Sequence, residues 1–361
     1  MGVEMKTVSC LILAGCLLGS LLCAETFPVP QLPFGPRVYN CQQSTLPLKI
    51  DGRDTETDWA QATWSEYFTD IEGDLKPAPC LNTRVKMLWD QTGLYIFARM
   101  EEPHIWAKLL QHDSVIFQDN DFEVFLDPNG DTHEYFELEL NALGTLWDLF
   151  LIKPYRDAHS SLNGWEAKGL RYAIGLEGTL NDPSDTDQAW CVELFMPWSA
   201  VSEMAHTPCP PQPGDYWRIN FSRVQWETDI VAGEYVKVPD KPEFNWVWSP
   251  QGLVAMHYPE RWGYLFFVSG TSGSVSMTHY PPQVENAREY LRQIYYAQKQ
   301  FWLDHGRYSD SLAELGMPIF SFNAKSYTPR LETTSRSFLI TLQAEGFPDL
   351  YITEDGRLFS N

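Results

Sequence analysis

Basic residues are scarce in this sequence, which has 361 residues, 26 Lys and Arg, and 48 Asp and Glu. The formal net charge of −22 argues against a nucleic-acid partner and against an anionic membrane surface, because either would require clustered basic side chains. The partners that this charge favours are neutral, cationic or bridged by a metal ion. We therefore predict no nucleic-acid binding.

Long hydrophobic runs are missing after residue 24, so no membrane-spanning helix is predicted there. The earlier apolar run, residues 7–24, is typical of a signal peptide over 1–24 that is cleaved after Ala24. We therefore expect an exported protein. A lipoprotein is the alternative, since residues 13–16 read Leu-Ala-Gly-Cys, which is similar to a bacterial lipobox and would place a lipid on Cys16.

Sequence motifs for metal, redox or nucleophilic chemistry are also lacking. Three of the seven Cys lie in the predicted leader, and the remaining four show no C-x-x-C spacing and no nearby His pair: Cys41, Cys80, Cys191 and Cys209. This spacing argues against a zinc site, while an exported chain could form up to two disulfides, whose pairing the sequence does not assign. A nucleophile elbow and a glycine-rich phosphate loop are absent too.

Short strand patterns, by contrast, are abundant between residues 46 and 268. Residues 84–89 and 94–100 alternate in hydrophobicity on either side of a Gln-Thr-Gly turn, which predicts a β-hairpin. Further strands are predicted at residues 122–126, 135–140, 146–152, 170–174, 190–196, 217–224 and 264–268. Because no long helices alternate with them, we predict a mainly β protein whose segment 46–268 is an antiparallel β-sandwich.

The periodicity changes after a predicted linker at residues 269–282. Residues 284–305 lack Gly and Pro, and their apolar residues recur at spacings of three and four, which predicts an amphipathic helix that ends at Gly306. A short helical turn is predicted at 309–316, followed by small antiparallel strands at 337–343, 350–353 and 357–359. Residues 283–361 are thus predicted to form a second, small α+β module whose aromatic stripe is core.

Acidic residues crowd both ends of the strand at 122–126, where residues 119–131 read Asp-Asn-Asp-Phe-Glu-Val-Phe-Leu-Asp-Pro-Asn-Gly-Asp. Clustered turn carboxylates are oxygen ligands of the type that a hard cation prefers, which makes four residues candidate Ca²⁺ ligands: Asp119, Asp121, Asp127 and Asp131. The alternative is a solvated strand with ordinary turns, because Asp, Asn and Gly are common turn residues.

Seven motifs in order resemble the family 9 carbohydrate-binding modules. They are Ile50-Asp51-Gly52 with Asp58-Trp59, Val85-Lys86-Met87-Leu88-Trp89-Asp90 with Leu94-Tyr95-Ile96, Asp121-Phe122-Glu123-Val124-Phe125-Leu126-Asp127, Asn141-Ala142-x-Gly144, Trp190-Cys191-Val192-Glu193 with Pro197-Trp198, Gly214-Asp215-Tyr216-Trp217-Arg218-Ile219-Asn220, and His257-Tyr258-Pro259-Glu260-Arg261-Trp262-Gly263. The resemblance covers residues 46–268. It implies a β-sandwich, structural calcium and a site where two Trp clamp a sugar while carboxylates and amides bind its hydroxyls.

The last motif most resembles exported family 9-like proteins of sugar-degrading Bacteroides-type bacteria. This resemblance implies a periplasmic or cell-surface location in a Gram-negative bacterium. The tail is similar to pilin and pseudopilin modules at residues 288–298 and 306–308, which would give this module a protein partner.

The resemblance to the family assigns ligand roles at only some positions. Glu123 matches the family's sugar-binding glutamate, and Phe117 falls where one clamping Trp would be. The other clamp falls near Met256, which is not aromatic, and the family's arginine aligns close to Glu139, which reverses the charge. The fold therefore transfers better than the ligand.

Further sugar contacts are predicted from strand positions. Glu137 and Glu139 share a sheet face with Glu123 if their strands pair in register, and Trp147 and Trp165 lie near loops as candidate flat walls. The alternative is that the two strand glutamates are the solvated face of a half-exposed sheet.

The sequence thus predicts non-catalytic carbohydrate binding by an exported protein that takes part in glycan capture or degradation. Two alternatives stay open. One is a glycoside hydrolase or lyase, since glycoside hydrolysis needs two carboxylates about 5 to 10 Å apart with one pKa raised, which strand glutamates could provide. The other is an assembly subunit in which the sandwich is only a scaffold.

Overall fold

The computed structural model of the protein describes residues 25–158, 160–270 and 282–360. The predicted signal peptide, the predicted lipid attachment site and most of the predicted linker lie outside the described residues. No helix within the described ranges is long and apolar enough to cross a membrane.

Strands dominate the described residues, with two short helices and one long one. The strands are β1 Val38–Gln43, β2 Thr69–Asp70, β3 Thr83–Trp89, β4 Gly93–Glu101, β5 Asp121–Asp127, β6 Tyr135–Asn141, β7 Leu146–Lys153, β8 Ser160–Leu162, β9 Arg171–Glu177, β10 Ala189–Pro197, β11 Tyr216–Gln225, β12 Thr228–Val231, β13 Glu234–Lys237, β14 Phe244–Val247, β15 Gly263–Val268, β16 Phe320–Phe322, β17 Lys325–Tyr327, β18 Arg330–Thr333, β19 Phe338–Leu342, β20 Leu350–Thr353 and β21 Leu358–Ser360. The helices are α1 Thr57–Gln61, α2 Trp198–Val201 and α3 Val284–His305. The predicted mainly β class is confirmed.

Among the described residues, thirteen strands form one curled sheet in the order β8-β7-β6-β5-β11-β15-β1-β3-β4-β10-β9, with β14 paired to β11 and β2 paired to β14. The sheet curls so that its two halves pack face to face. Val124 of β5 and Leu138 of β6 join Met87 of β3 and Leu194 of β10 in one buried core. Period-two alternation puts these side chains inside, as the strand patterns predicted.

Strand β1 joins the two halves of the sheet. It pairs in parallel with β15, where Tyr39 lies opposite Leu265, and with β3, where Gln42 lies opposite Leu88. This strand lies before residue 46, where the sequence placed the start of the sandwich, and it makes the sheet mixed rather than purely antiparallel. Local alternation does not reveal a pairing between strands that are so distant along the chain.

The long helix α3 follows the predicted bounds. Gly306 ends it in the left-handed conformation at a φ of 66°, and its N–H donates to the Trp302 carbonyl at 2.8 Å. Residues 312–316 form hydrogen-bonded turns, and no regular helix forms between residues 309 and 316. One of these turns has helical spacing, from the Leu315 N–H to the Ser311 carbonyl at 3.3 Å, and the Ser309 hydroxyl accepts from the Ser311 N–H as a capping serine does.

The aromatic stripe of α3 is mostly core, as predicted. Leu291, Ile294 and Tyr295 are fully buried, while Trp302 remains 42% exposed. The stripe packs against the four-stranded sheet β18-β19-β20-β21. The helix and small sheet are therefore confirmed, and the similarity of this segment to pilins stays a prediction.

Polar contacts also bind α3 to the sandwich. The Tyr296 hydroxyl donates to Glu260 at 2.5 Å, and the Tyr295 hydroxyl donates to Asp157 at 2.6 Å. Arg156 lies 2.9 Å from Glu260 and completes this buried network. The tail and the sandwich thus share buried charge as well as apolar contacts.

The four cysteines among the described residues form no disulfide with one another. Cys41 is buried in the inner core, Cys191 packs in the outer cluster around Trp59, Cys80 is exposed and Cys209 is half-buried. The disulfides that an exported chain would allow are thus not found among these four residues.

Candidate functional site

A cavity of about 360 Å³ lies on the outer face of the sheet half that contains β5, β6 and β7. Its floor is made by alternate residues of β5 and β6. Glu123 lies opposite Glu139, and Phe125 lies opposite Glu137. The intervening residues of both strands point into the core, so the period of two places these glutamates together on the outer face.

Aromatic side chains stand around this floor. Phe117 comes from the 3₁₀ turn Ile116–Gln118, and Trp147 lies on β7 opposite Glu139. Tyr155 follows β7 and meets His257 edge to face, with ring centroids 4.2 Å apart. The cavity therefore combines flat apolar walls with a floor of carboxyl groups.

The backbone N–H and the backbone carbonyl of Phe117 are both hydrogen-bonded. Its N–H donates to Glu139 Oε2 at 3.0 Å, and its carbonyl accepts from Trp226 Nε1 at 2.8 Å. Lys237 Nζ lies 3.5 Å from the centre of the Trp226 ring, a cation–π contact that fixes this second tryptophan. The wall at Phe117 is thus tied directly to the glutamate floor.

Five of the six predicted sugar contacts converge on this cavity: Phe117, Glu123, Glu137, Glu139 and Trp147. The sixth, Trp165, lies elsewhere. Its ring packs on Phe136 and Phe150 with centroids 5.5 and 6.3 Å away, against the inner core. Trp165 therefore packs against the core and is not a wall of this cavity, which its position near a loop did not predict.

Several lining residues were not predicted as contacts. Tyr155 and His257 line the cavity together with Glu243 and Asn245. His257 also shares a hydrogen bond with the Tyr135 hydroxyl at 2.9 Å through Nδ1. Asn245 belongs to β14, a strand of four residues whose pattern was too short to detect, and Glu243 immediately precedes that strand.

The cavity is lined by acidic side chains without basic partners, since none of the described residues that line it is Lys or Arg. Burial raises the pKa of Glu123 to about 7, and the carboxylate of Glu243 adds to the rise. Burial and then the neighbouring carboxylates raise the pKa values of Glu137 and Glu139 well above the usual range. The floor therefore holds protons near neutral pH and offers both hydrogen-bond donors and acceptors.

The raised pKa of Glu123 should make the free energy of unfolding depend on pH. A carboxyl whose folded pKa is raised to about 7 from 4.5 binds more protons in the folded state, so its contribution is complete below pH 4.5 and is lost as pH rises through 7. For Glu123 alone the expected loss is about 1 kcal/mol between pH 6 and pH 8. Glu123→Gln should remove it, as measured by urea unfolding at both values. Glu332→Gln, an exposed control, should keep the wild-type slope, and an unchanged slope in Glu123→Gln would contradict the expectation.

The four candidate calcium ligands do not converge. Asp119 accepts from the N–H groups of residues 108 and 109, and Asp127 accepts from those of residues 130 and 132. Asp131 binds Arg357 at 3.0 Å, whereas Asp121 lies with Glu123 and Glu139 beside the cavity. Asp119, Asp127 and Asp131 are thus engaged by different protein donors, whereas Asp121 Oδ2 has no hydrogen-bond partner among the described residues. The four aspartates therefore do not form one calcium site.

A larger cavity of about 730 Å³ lies between the sandwich and β21. Three arginines line it: Arg357 binds Asp131 and Glu134, and Arg288 donates to the Gly130 carbonyl. Arg218 donates to the Glu260 carbonyl through Nη2, while its Nη1 has no partner among the described residues. None of the predicted sugar contacts lines it. The smaller cavity over β5 and β6 is therefore the candidate site.

The comparison with protein families gives one match. Residues 50–206 match the family described as carbohydrate family 9 binding domain-like, a range that holds most of the motifs noted in the sequence and includes β5, β6 and β7. A search of curated proteins found no match.

Three solved structures are similar to this chain. One is a Bacteroides uniformis ATCC 8492 protein with a provisional assignment as carbohydrate-binding, at 16% identity and a TM-score of 0.47 over 64% of this chain and 100% of that one. The others are a family 9 carbohydrate-binding module from Caldicellulosiruptor kristjanssonii with cellotriose, at 15% identity, and with glucose, at 16%; each has a TM-score of 0.41 and covers 67% of this chain and 100% of that one. At such identities neither ligand transfers to this chain.

Proposed function

We propose that the protein binds a carbohydrate in the cavity over β5 and β6, because residues 50–206 match the family described as carbohydrate family 9 binding domain-like. One observation carries the proposal: residues predicted separately as sugar contacts meet in one cavity of about 360 Å³. That volume lies within the range of small-molecule sites. The proposed role is capture of a glycan, without chemistry, outside the cell that exports the protein.

The wall and the floor of the cavity have different tasks in this proposal. Phe117 and Trp147 offer flat faces to the apolar side of a sugar ring. Glu123 and Glu139, whose pKa values are raised, offer hydroxyl donors when protonated and carboxylate acceptors when ionised. A sugar hydroxyl both donates and accepts, so a floor with both kinds of group can satisfy it.

Glycan binding is tested first with the wild-type protein on a glycan array, at millimolar calcium and with a chelator. For a bound glycan, Trp147→Ala and Glu123→Gln should each weaken the affinity at least tenfold by isothermal titration, because each removes a contact worth about 1.4 kcal/mol or more. Trp302→Ala is the matched control, since this half-exposed tryptophan lies on α3, far along the chain from the cavity. Its affinity should equal that of the wild type.

The outcomes separate the three functions that the sequence left open. Equal affinity in Trp147→Ala, Glu123→Gln and the control would move the site away from this cavity. Absence of binding to every glycan, together with capture of a protein partner by residues 283–361, would favour an assembly subunit. Loss of calcium should leave glycan affinity unchanged, because the four aspartates do not fit one calcium site.

Glycoside cleavage is the second candidate function, and one observation favours it. The floor places Glu123 beside Glu139 on paired strands. Burial raises the pKa of Glu139 well above its usual range, the state that a general acid requires, while Glu123, with a pKa of about 7, would be the carboxylate that acts as nucleophile or base. Release of shorter products from a glycan that binds would be the sign of cleavage. If Glu139→Gln still binds the glycan but releases no product, cleavage is established in place of capture.

A further inference from the structure

Three metal-capable side chains meet on the face of β7 that is opposite to the sugar cavity. Trp147 lines that cavity, so the period of two turns Asp148 toward the inner face, where its side chain is 1% exposed. His112 reaches it from the segment before β5, and Glu166 from the loop before β9. Their ligand atoms all lie within 4.8 Å of one another.

The distances from His112 Nε2 to the neighbouring carboxylate oxygens are those expected between two ligands of one small ion. This nitrogen lies 3.1 Å from Glu166 Oε1 and 3.7 Å from Asp148 Oδ1. A third carboxylate oxygen, Asp113 Oδ1, lies 3.4 Å away. Two ligands bound to a tetrahedral zinc ion at its usual bond lengths lie about 3.4 Å apart. The side chains therefore need little movement to surround such an ion.

Asp148 supplies an independent indication of a missing partner. Its Oδ2 accepts from the Ala167 N–H at 2.6 Å, whereas its Oδ1 is buried and has no hydrogen-bond partner among the residues that the structure describes. Buried polar atoms are normally paired, because an unpaired one costs free energy. A cation between His112 and Asp148 would pair this oxygen.

We propose that His112, Asp148 and Glu166 bind a divalent ion of the zinc type, with Asp113 or a water molecule as the fourth ligand. A neutral imidazole nitrogen together with carboxylate oxygens suits zinc and similar transition metals. Calcium suits this set poorly, since it takes six to eight oxygen ligands. The site is separate from the sugar cavity and does not depend on the function proposed there.

The ion would fix a loop against the sheet. Glu166 follows Trp165, whose ring packs on Phe136 and Phe150 at the inner core. Binding of Glu166 to an ion held by Asp148 on β7 would anchor that tryptophan from outside. The expected consequence is a structural site that raises the stability of the folded protein.

Zinc chloride titrated into chelator-treated protein tests the site by calorimetry and by thermal unfolding. The wild type should bind one equivalent and melt at a higher temperature with zinc. His112→Ala should weaken zinc binding at least tenfold and lose the shift in melting temperature. His206→Ala is the matched control, because His206 is equally exposed and lies 2.6 Å from Glu134. Both variants keep every cysteine, so a thiol site would bind zinc equally in both.

A second variant guards against misfolding of the first. Asp148→Asn keeps an oxygen for the Ala167 N–H but weakens the metal ligand, so it should also lower zinc affinity. Failure of the wild type to bind zinc would overturn the proposal. Zinc affinity that is equal in the wild type and in whichever of the two variants folds would overturn it as well.

Discussion

Glu260→Ala is expected to lower the free energy of unfolding by about 3 to 5 kcal/mol, the usual cost of removing one member of a buried ion pair. Glu260 is buried and binds Arg156 at 2.9 Å, while the Tyr296 hydroxyl donates to it at 2.5 Å. Its removal would leave the Arg156 guanidinium, which is equally buried, without its closest carboxylate. Because Tyr296 belongs to α3, the helix should also loosen from the sandwich.

The measurement for Glu260→Ala is urea unfolding followed by tryptophan fluorescence, which reports the sandwich, and by far-ultraviolet circular dichroism, which reports α3. Glu332→Ala is the control, since Glu332 forms an exposed pair with Arg330 and its loss should cost about 0.5 kcal/mol or less. A cost as small as that of the control would show that the network contributes little.

Low pH should destabilise the folded protein through the same group, the Glu260 carboxylate. Burial opposes ionisation of Glu260, but Arg156 and Arg292 outweigh it and hold the pKa at about 2. A depressed folded pKa gives stability that is present above about pH 4.5 and is lost as pH falls toward 2. Wild-type stability should therefore fall more steeply in this range than that of Glu260→Ala.

Glu193→Ala is expected to lower the free energy of unfolding by roughly 3 kcal/mol, because it leaves two buried donors and one partly buried donor without their acceptor. The Glu193 carboxylate accepts from the N–H groups of Asp51 and Gly52 at 2.8 and 2.9 Å, and from Trp59 Nε1 at 2.8 Å. Both Glu193 and Trp59 are fully buried. The side chain thus fastens the segment before β2 to the middle of β10.

Thermal and urea unfolding of Glu193→Ala measure this cost. Glu177→Ala is a matched control on the neighbouring strand β9, since Glu177 forms an exposed pair with Arg99 and should cost less than 1 kcal/mol. Trp59→Phe, which removes only one of the three donors, should fall between the two. A Glu193→Ala protein as stable as the control would contradict the assigned role.

The same contacts explain why the sequence predicted the fold so well. Asp51-Gly52, Asp58-Trp59 and Glu193 were noted as separate motifs, and the structure joins Asp51, Gly52 and Trp59 through the Glu193 carboxylate. Strands such as β5 were visible because alternation is local and one face is buried. Strand β1 was not recognised, because its partners β15 and β3 lie far along the chain and its own alternation is weak.

The site was predictable as far as strand register could be anticipated. Glu123, Glu137 and Glu139 meet because β5 and β6 are consecutive and pair antiparallel. Trp165 and the aspartates of residues 119–131 were assigned from composition and turn position, and neither feature fixes where a loop folds. Loop contacts such as His257 against Tyr155 depend on tertiary packing that the local sequence does not encode.

Strand β1 also has a mechanical consequence. It runs parallel to β15 in a register that matches Val38 with Tyr264 and Gln42 with Val268. Tension applied at Val38 and at Val268 would pull the two strands along their length in opposite directions. The ladder between them would then be loaded in shear, so its hydrogen bonds would have to break together instead of one after another. The sheet therefore resists stretching most strongly along the line that joins the two ends of the sandwich.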